Sequence, residues 1–281
     1  MPKKESSFNR MGSKISIYLI LILFVILFAF PFYYVFVLAS QKGTNMYVNP
    51  PHILLNKYYF ENIGKLFDAI PFGLHFLNSV MIGVFATLGT SFFCTMGGFA
   101  LAKYDFKGKK IIFTFMVGTI AIPTFLNLVP FFRMMTAFGW YDTWLPLIIP
   151  GMANAFGIFM MTQFLEDAIP TDLLAAARID GLSEFGILMR IVFPLAKSSL
   201  AIIMIVTFVG KWNDLIGPLV FLSTPEKLPI PPALTRFYNN MDGDKGALMA
   251  GNTLAILPLA VVFAIFSKQI ISGLTAGSIK G

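Results

Sequence analysis

Six apolar stretches, each long enough to cross a lipid bilayer, dominate this chain of 281 residues. The first of them, residues 15–41, carries no charged side chain and exceeds the roughly 20 residues that a membrane-spanning helix requires. Within the hydrocarbon every backbone N–H and C=O group must be bonded inside the protein, which a helix achieves and an isolated strand does not. Only 12% of the residues are charged, about half the share of soluble domains. These features predict an all-α integral membrane protein.

Lysine and arginine are unevenly divided among the segments that join the spans. We predict spans over residues 15–41, 72–102, 111–132, 145–165, 198–222 and 247–267. An even number of spans places residues 1–14 and the tail on one side, which also receives most basic residues: Lys3, Lys4, Arg10, Lys14, Lys103, Lys107, Lys109, Lys110, Arg178, Arg190, Lys197, Lys268 and Lys280. Because basic loops favour the cytoplasmic side, we predict a multi-pass protein of a bacterial or archaeal cytoplasmic membrane with both termini in the cytoplasm. The net charge of +7 then gives no reason to expect nucleic acid as a partner.

The segment between the fourth and fifth spans, residues 166–197, is polar but has the pattern of ordered helix. Thr171 suits an N-cap, because its side-chain oxygen can accept a bond from a free N–H group of the first turn. Gly181 suits the left-handed residue that ends a helix. Ser183 can cap a second helix that ends near Pro194. From these residues alone, an elbow between two spans and a docking element for a cytoplasmic partner remain equally open.

The same segment resembles the coupling loop of ABC importer permeases, whose motif begins Glu-Ala-Ala and continues with Asp-Gly and a later proline. The residues that match are Ala176, Ala177, Asp180, Gly181 and Pro194. Ala175 stands where the family has its acidic residue, and Ser198 stands where it has a second proline. The resemblance implies that a short cytoplasmic helix docks onto an ATPase, with these coupling residues: Asp172, Ala175, Ala176, Ala177, Asp180, Gly181, Glu184 and Pro194.

Three further stretches extend the resemblance over most of the chain and narrow it to carbohydrate importer permeases of the maltose-transporter type. Residues 99–108 resemble the end of the family's second span and the following loop. Trp212-Asn213-Asp214, followed by Pro218, resembles the fifth-span motif, and residues 273–281 resemble the C-terminal tail. The four stretches occur in the family's order and on consistent predicted sides of the membrane.

This resemblance implies a type I ABC importer permease: six transmembrane helices over a domain of residues 15–272, with a cytoplasmic coupling helix, in a subunit of the second-permease type. Its implied partners are a second homologous permease subunit, two ATPase subunits, an extracytoplasmic solute-binding protein, membrane lipid and a di- or oligosaccharide. The chain has no GxxxxGK[ST] phosphate loop, so ATP and Mg²⁺ would be bound by the partner ATPases. The chain itself is then expected to bind no cofactor and to catalyse no reaction.

Two peripheral segments also receive a role from the resemblance. Gly273, Thr275 and Gly277 of the tail would contact the ATPases, although a frayed tail is equally compatible with the sequence. The proline-rich loop over residues 223–246 would face the solute-binding protein, or else only solvent.

Polar residues within the spans are candidates for the substrate pathway, because sugars are bound by amide groups and aromatic rings. These candidates are Asn78, Asn127, Asn154, Asn213 and Asp214. Each could instead cap a helix or bond across helices. Lys211 and Asp214 are ionisable at membrane depth, so they are either pathway residues or a pair that stabilises the fifth span. The two histidines lie far apart, so no metal site is expected, and the single Cys94 is expected to be a small buried residue.

Three other functions remain as alternatives. One is an ABC permease for another solute, such as glycerol phosphate or a polyamine. An ion-coupled carrier would be expected to carry intramembrane acids or inverted repeats. A membrane enzyme would need a catalytic constellation inside the spans, and none is evident in the sequence.

Overall fold

The computed structural model describes residues 7–43, 48–240 and 244–278, which form helices and short connections without a strand among them. The α-helices are α1 Ser7–Ala39, α2 Tyr59–Ala69, α3 Phe72–Lys103, α4 Lys109–Ile120, α5 Leu128–Ala137, α6 Leu145–Ile148, α7 Ala155–Ala168, α8 Thr171–Ile179, α9 Glu184–Ile187, α10 Phe193–Leu195, α11 Lys197–Trp212, α12 Ile216–Phe221, α13 Ile230–Asn240 and α14 Lys245–Ser278. The 3₁₀-helices Thr124–Asn127 and Pro225–Lys227 and the π-helix Leu188–Val192 lie between them. The predicted all-α fold is confirmed. The cytoplasmic lysines predicted at positions 3, 4 and 280 lie outside the described residues.

Three helices of the described chain are long and apolar enough to cross a membrane: Ser16–Ala39 within α1, Phe72–Lys103, and Lys245–Phe266 within α14. Two bent pairs also qualify if each pair counts as one span. The first pair, Lys109–Ile120 and Phe125–Ala137, meets at 95°, and the second, Glu184–Leu195 and Lys197–Trp212, meets at 83°. The structure therefore has up to five such spans by length and composition, and the division into six remains a prediction.

Prolines and glycines interrupt the spans that the sequence pattern predicts as continuous. The third, residues 111–132, is broken after Ile120, where Pro123 has no N–H group to donate and restricts the residue before it. The fourth, residues 145–165, consists of the one-turn α6, a break at residues 149–154, and α7. Irregular backbone at membrane depth is tolerated only where protein or a water-filled cavity surrounds it. The break in the fourth span should therefore be enclosed by protein or border a water-filled cavity.

The chain divides into two compact units, and the first contains residues up to Ile70 together with Phe237–Ile256. Its centre is Asn62 of α2, a fully buried amide whose Nδ2 donates to the carbonyls of Ala39 and Gln41 at 2.8 Å each. A Cβ atom at Gly246 would lie 2.7 Å from the same amide, so α14 also begins against α2. The helix α2 is short and amphipathic, and its buried Asn62 joins the end of α1 to the segment that follows it.

The second unit contains Pro71–Arg236 and the chain from Leu257 onward, and α3 lies at its centre against α7 and α11. Small residues bring α3 and α7 into close contact. A Cβ atom at Gly98 would lie 2.5 Å from the Cβ of Met161 and 2.9 Å from the backbone of Thr162. Cys94 is fully buried in this interface, as expected from the sequence. Such approach of small residues is the usual basis of helix association in membranes.

The segment over residues 223–230, predicted as part of a long loop, is instead held in place by side chains of the second unit. It contains a 3₁₀ turn and leads directly into α13. Asn78 Nδ2 donates to the carbonyls of Glu226 and Leu228 at 2.7 and 3.0 Å. Asp142 accepts bonds from the N–H groups of Ser223 and Thr224 at 3.0 Å each. The ammonium of Lys227 also donates to Asp142, at 2.8 Å, and this bond holds the pKa of the Asp142 carboxyl far below its ordinary value.

The predicted tail is also more regular than the sequence suggests. Gly273, Thr275 and Gly277 lie in the backbone of α14, which continues to Ser278. A helix therefore runs beyond the predicted sixth span, and residues 279–281 lie outside the described chain.

Candidate functional site

The segment between the fourth and fifth predicted spans folds into the short helix α8, and it ends as the sequence predicts. Gly181 has a left-handed φ of +83°, and its N–H donates to the carbonyl of Arg178 at 3.1 Å. The N–H of Leu182 reaches back to the carbonyl of Ala177 at 3.0 Å, which completes a Schellman ending. The start differs from the prediction, because extended Pro170 holds the N-cap position and Thr171 is the first helical residue without a side-chain cap.

One face of α8 is buried against the protein core, and the opposite face is exposed in the described chain. Leu174 and Ala177 are buried in the core formed by α3, α7 and the π-helix. On the opposite face Ala175 and Ala176 are exposed, and Ile179 is 87% exposed. Of the predicted coupling residues, Asp172 and Asp180 also lie on the exposed side. The fold therefore presents a small, partly apolar surface on a helix that is fixed to the core by its buried face.

Glu184 joins α8 to the end of α3 through two side chains that sequence reasoning did not identify. Arg178 donates through Nε to Glu184 Oε1 at 2.7 Å, and its second nitrogen lies 3.3 Å from Oε2. The hydroxyl of Tyr104, just beyond α3, also donates to Glu184, and the Arg178 guanidinium lies 5.7 Å from the centre of the Tyr104 ring. These hydrogen bonds, that from Arg178 first, lower the pKa of the Glu184 carboxyl below its ordinary value.

The Arg178–Glu184 bond should be needed for the position of the turn that follows α8. In Arg178→Ala, backbone hydrogen exchange at Leu182 should accelerate severalfold, because the turn loses its bidentate tie and its contact with Tyr104. Arg178→Lys should restore only part of the protection, since an ammonium cannot make the paired contact. The matched control is Arg190→Ala, which removes an exposed arginine from the next helical segment. Equal exchange in the Arg178 and Arg190 variants would contradict this role.

Beyond the turn, the chain enters α11 through a π-helix and a sharp bend. Ser183 caps α9 by accepting a bond from the Gly186 N–H at 3.2 Å, as predicted. Pro194 falls in the short α10, directly after the π-helix, and its missing N–H disturbs the regular ladder of bonds there. A π-turn is frequent where a helix is interrupted at a functional position. The chain then bends by 83° between Leu195 and Lys197, where α11 begins.

A second candidate site is a pair of neighbouring cavities that meet at the break in the fourth span. One has a volume of about 540 Å³ and the other about 490 Å³. Gly151, Lys211 and Asp214 contribute to the walls of both. The backbone of the break is itself ordered, because the Gly151 carbonyl accepts bonds from Thr90 at 3.3 Å and from Asn154 at 3.1 Å.

The predicted pathway residues are only partly brought together at these cavities. Asn154 lines the first cavity while its Oδ1 caps α7 by accepting a bond from Gly157 at 2.8 Å. Asn127 lines the second cavity, and Asp214 lines both. Asn213 is exposed, and its amide donates to the Val209 carbonyl at 3.0 Å.

Asn78 lines neither cavity, so the structure does not bring it together with the other pathway candidates. Its buried amide is used to hold residues 226–228, and a buried amide without such acceptors would be costly. The structure instead adds Lys211, which the sequence left between a structural role and a pathway role. Among the described residues, no group of three His, Cys, Asp or Glu is arranged to hold a metal ion.

Comparison with known proteins places these two sites in context. Residues 94–275 match the family described as "Binding-protein-dependent transport system inner membrane component". The arabinooligosaccharides transport system permease protein AraQ of Bacillus subtilis (strain 168) is 33% identical over 85% of this chain and 83% of its own length. The inner membrane ABC transporter permease protein YcjP of Escherichia coli (strain K12) is 32% identical over 97% of this chain and 98% of its own length.

A solved structure has the same fold. It is a chain of a bacterial ABC transporter involved in the import of the acidic polysaccharide alginate, with a TM-score of 0.79 over 95% of this chain and 99% of that chain. Sequence identity is 23%, so the likeness extends to the fold alone.

Proposed function

Because this chain belongs to the family of binding-protein-dependent transport system inner membrane components, we propose that it is one permease subunit of an ABC importer for a di- or oligosaccharide. The relatives support a saccharide as the transported substrate, since AraQ is named for arabinooligosaccharides and its match covers most of this chain. The proposal includes a second homologous permease, two ATPase subunits that bind ATP and Mg²⁺, and a solute-binding protein on the opposite side.

The exposed face of α8 is the observation that carries the coupling role. Leu174 and Ala177 fix the helix to the core, while Ala175, Ala176 and Ile179 remain uncovered. Alanine side chains allow the backbone of a partner to approach closely, and Ile179 offers an apolar contact. The family's acidic residue is absent at Ala175, so docking would depend on shape and apolar contact more than on an ion pair at that position.

The proposed mechanism is alternating access driven from the cytoplasm. Closure of the ATPases on ATP would displace α8, and the displacement would pass to α7 through the shared core and to α11 through the bend between Leu195 and Lys197. The permease pair would then open outward and receive the saccharide from the binding protein. Hydrolysis in the ATPases would return it to the inward-facing state, and this chain contributes motion and a pathway without chemistry of its own.

Reconstitution tests this proposal directly. The chain should be placed in liposomes with its partner permease, and uptake of oligosaccharides should be measured with and without the ATPases and the binding protein. We expect uptake only in the complete assembly with ATP. Uptake of saccharide, glycerol phosphate or polyamine along an ion gradient in liposomes without the ATPases would contradict the proposal. ATP-driven uptake of only the non-saccharide solutes would contradict its substrate class.

A further inference from the structure

Lys211 lies at the end of α11 with an ammonium group that the described chain leaves without a hydrogen-bond acceptor. Its side chain lies in the wall of both cavities at the break in the fourth span. A Cβ atom at Gly151 would lie 3.8 Å from the Lys211 Nζ, an ordinary van der Waals contact, so the ammonium lies directly beside the backbone of the break. Ionisable side chains within membrane-spanning segments are costly and rare, and they commonly mark binding sites and substrate pathways.

Asp214 is the other ionisable residue in the described walls of these cavities. It is nevertheless not in ion-pair contact with Lys211 in the described structure. Its Oδ1 accepts a bond from the Gly217 N–H at 3.0 Å, where α12 begins. One oxygen of the carboxylate therefore accepts a backbone bond, and Asp214 acts on the Lys211 ammonium only through its charge. Within the described chain no hydrogen-bond acceptor is in reach of that ammonium.

The remaining walls provide the surroundings of a saccharide site without a second charge. Thr90, Asn127 and Asn154 offer polar groups, and Phe125, Phe131 and Phe156 offer aromatic surface. Hydroxyl oxygens of an uncharged sugar could accept bonds from the ammonium, but a negatively charged oxygen compensates its lost hydration more fully. Apolar walls make this difference larger than it would be in water.

We propose that Lys211 binds a negatively charged oxygen of the transported saccharide, so that this importer carries acidic oligosaccharides. The proposal rests on the proposed saccharide transport and adds its substrate class. The shared chemistry is an oxyanion on a sugar ring, which a uronic acid supplies as a carboxylate and a sulfo-sugar as a sulfonate.

The test uses the complete importer in proteoliposomes and three matched probes: an uncharged galacto-oligosaccharide, the corresponding galacturonate oligosaccharide, and one carrying a sulfonate. ATP-dependent uptake of each is measured for the native chain, Lys211→Met, Lys211→Arg, and the control Lys57→Met, an exposed lysine outside both cavities. In parallel, binding of the probes to the same assembly without the binding protein is measured by saturation-transfer NMR, which does not require transport.

We expect the native importer to bind and take up at least one acidic probe in preference to the uncharged one. Lys211→Met should lower uptake and binding of that probe by about tenfold to a hundredfold, the usual effect of losing one charge-assisted hydrogen bond. Lys211→Arg should retain most of it, and Lys57→Met should behave as the native chain.

Two results would overturn the inference in different ways. If the uncharged probe is preferred, or if Lys211→Met impairs all three probes equally, Lys211 is not an anion site while saccharide import stands. If none of the saccharides is bound or taken up by an assembly that hydrolyses ATP, the proposed function fails together with the inference.

Discussion

Uptake by the reconstituted importer should fall by about tenfold or more when Gly181 is replaced by valine, while ATP hydrolysis continues. The residue has φ of +83°, and a Cβ atom there would meet nothing within 4 Å, so the penalty comes from backbone conformation and not from a clash. A β-branched residue strongly disfavours this region. The Schellman ending would open, Leu182 would leave the core, and α8 would no longer be held in a fixed position.

The matched variant is Gly181→Asn, because asparagine adopts the left-handed region far more readily than valine. It should keep most of the coupling between hydrolysis and uptake. Membrane insertion and yield of both variants are measured as a control. Native uptake by Gly181→Val would show that the position of α8 is not what couples the ATPases to transport.

Replacing Gly98 by valine should strongly destabilise the folded permease. The new Cβ would lie 2.5 Å from the Cβ of Met161 and 2.9 Å from two backbone atoms of α7, and backbone cannot move aside as a flexible side chain can. Overpacking of this kind typically costs about 1 to 3 kcal/mol and occasionally more. We expect a lower yield of folded protein and a clear drop in melting temperature, measured on the purified permease in detergent.

Gly73→Val is the control for that substitution, since it lies in the same helix and a Cβ there would meet nothing within 4 Å. Its melting temperature should remain close to that of the native protein. If Gly98→Val melted at the same temperature as Gly73→Val, the close contact between α3 and α7 would not be needed for stability.

Features that depend on neighbouring residues were predictable from the sequence. Gly181 ends α8 and Ser183 caps α9, because both effects are decided within a single turn of backbone. The amphipathic α2 also follows from local periodicity. The N-cap at Thr171 was wrong, since the preceding Pro170 already has the extended conformation that the position requires.

Features that depend on distant partners were not predictable. Asn78 is a polar residue within a predicted span, but the carbonyls that accept its hydrogen bonds are 148 and 150 residues away in the sequence. Tyr104 and Glu184 are 80 residues apart in the sequence, and no pattern in either segment predicts their hydrogen bond. Prolines are equally ambiguous by themselves: Pro31 lies inside the continuous α1, whereas Pro150 lies in a break, and only the surrounding cavities and packing separate the two cases.

The length of α7 determines how far a movement of α8 would be transmitted. Its 14 residues correspond to roughly 21 Å of axial length at the usual rise per residue. Asn154 at one end stands in the cavity wall, and the other end leads through Ile169 into α8. Because α7 is packed along α3 without room for an added Cβ at Gly98, it should shift as a whole instead of bending. In the proposed mechanism, a displacement of α8 would then reach the cavity wall along a single helix, so that the pathway would open at the same step of the transport cycle in which α8 moves.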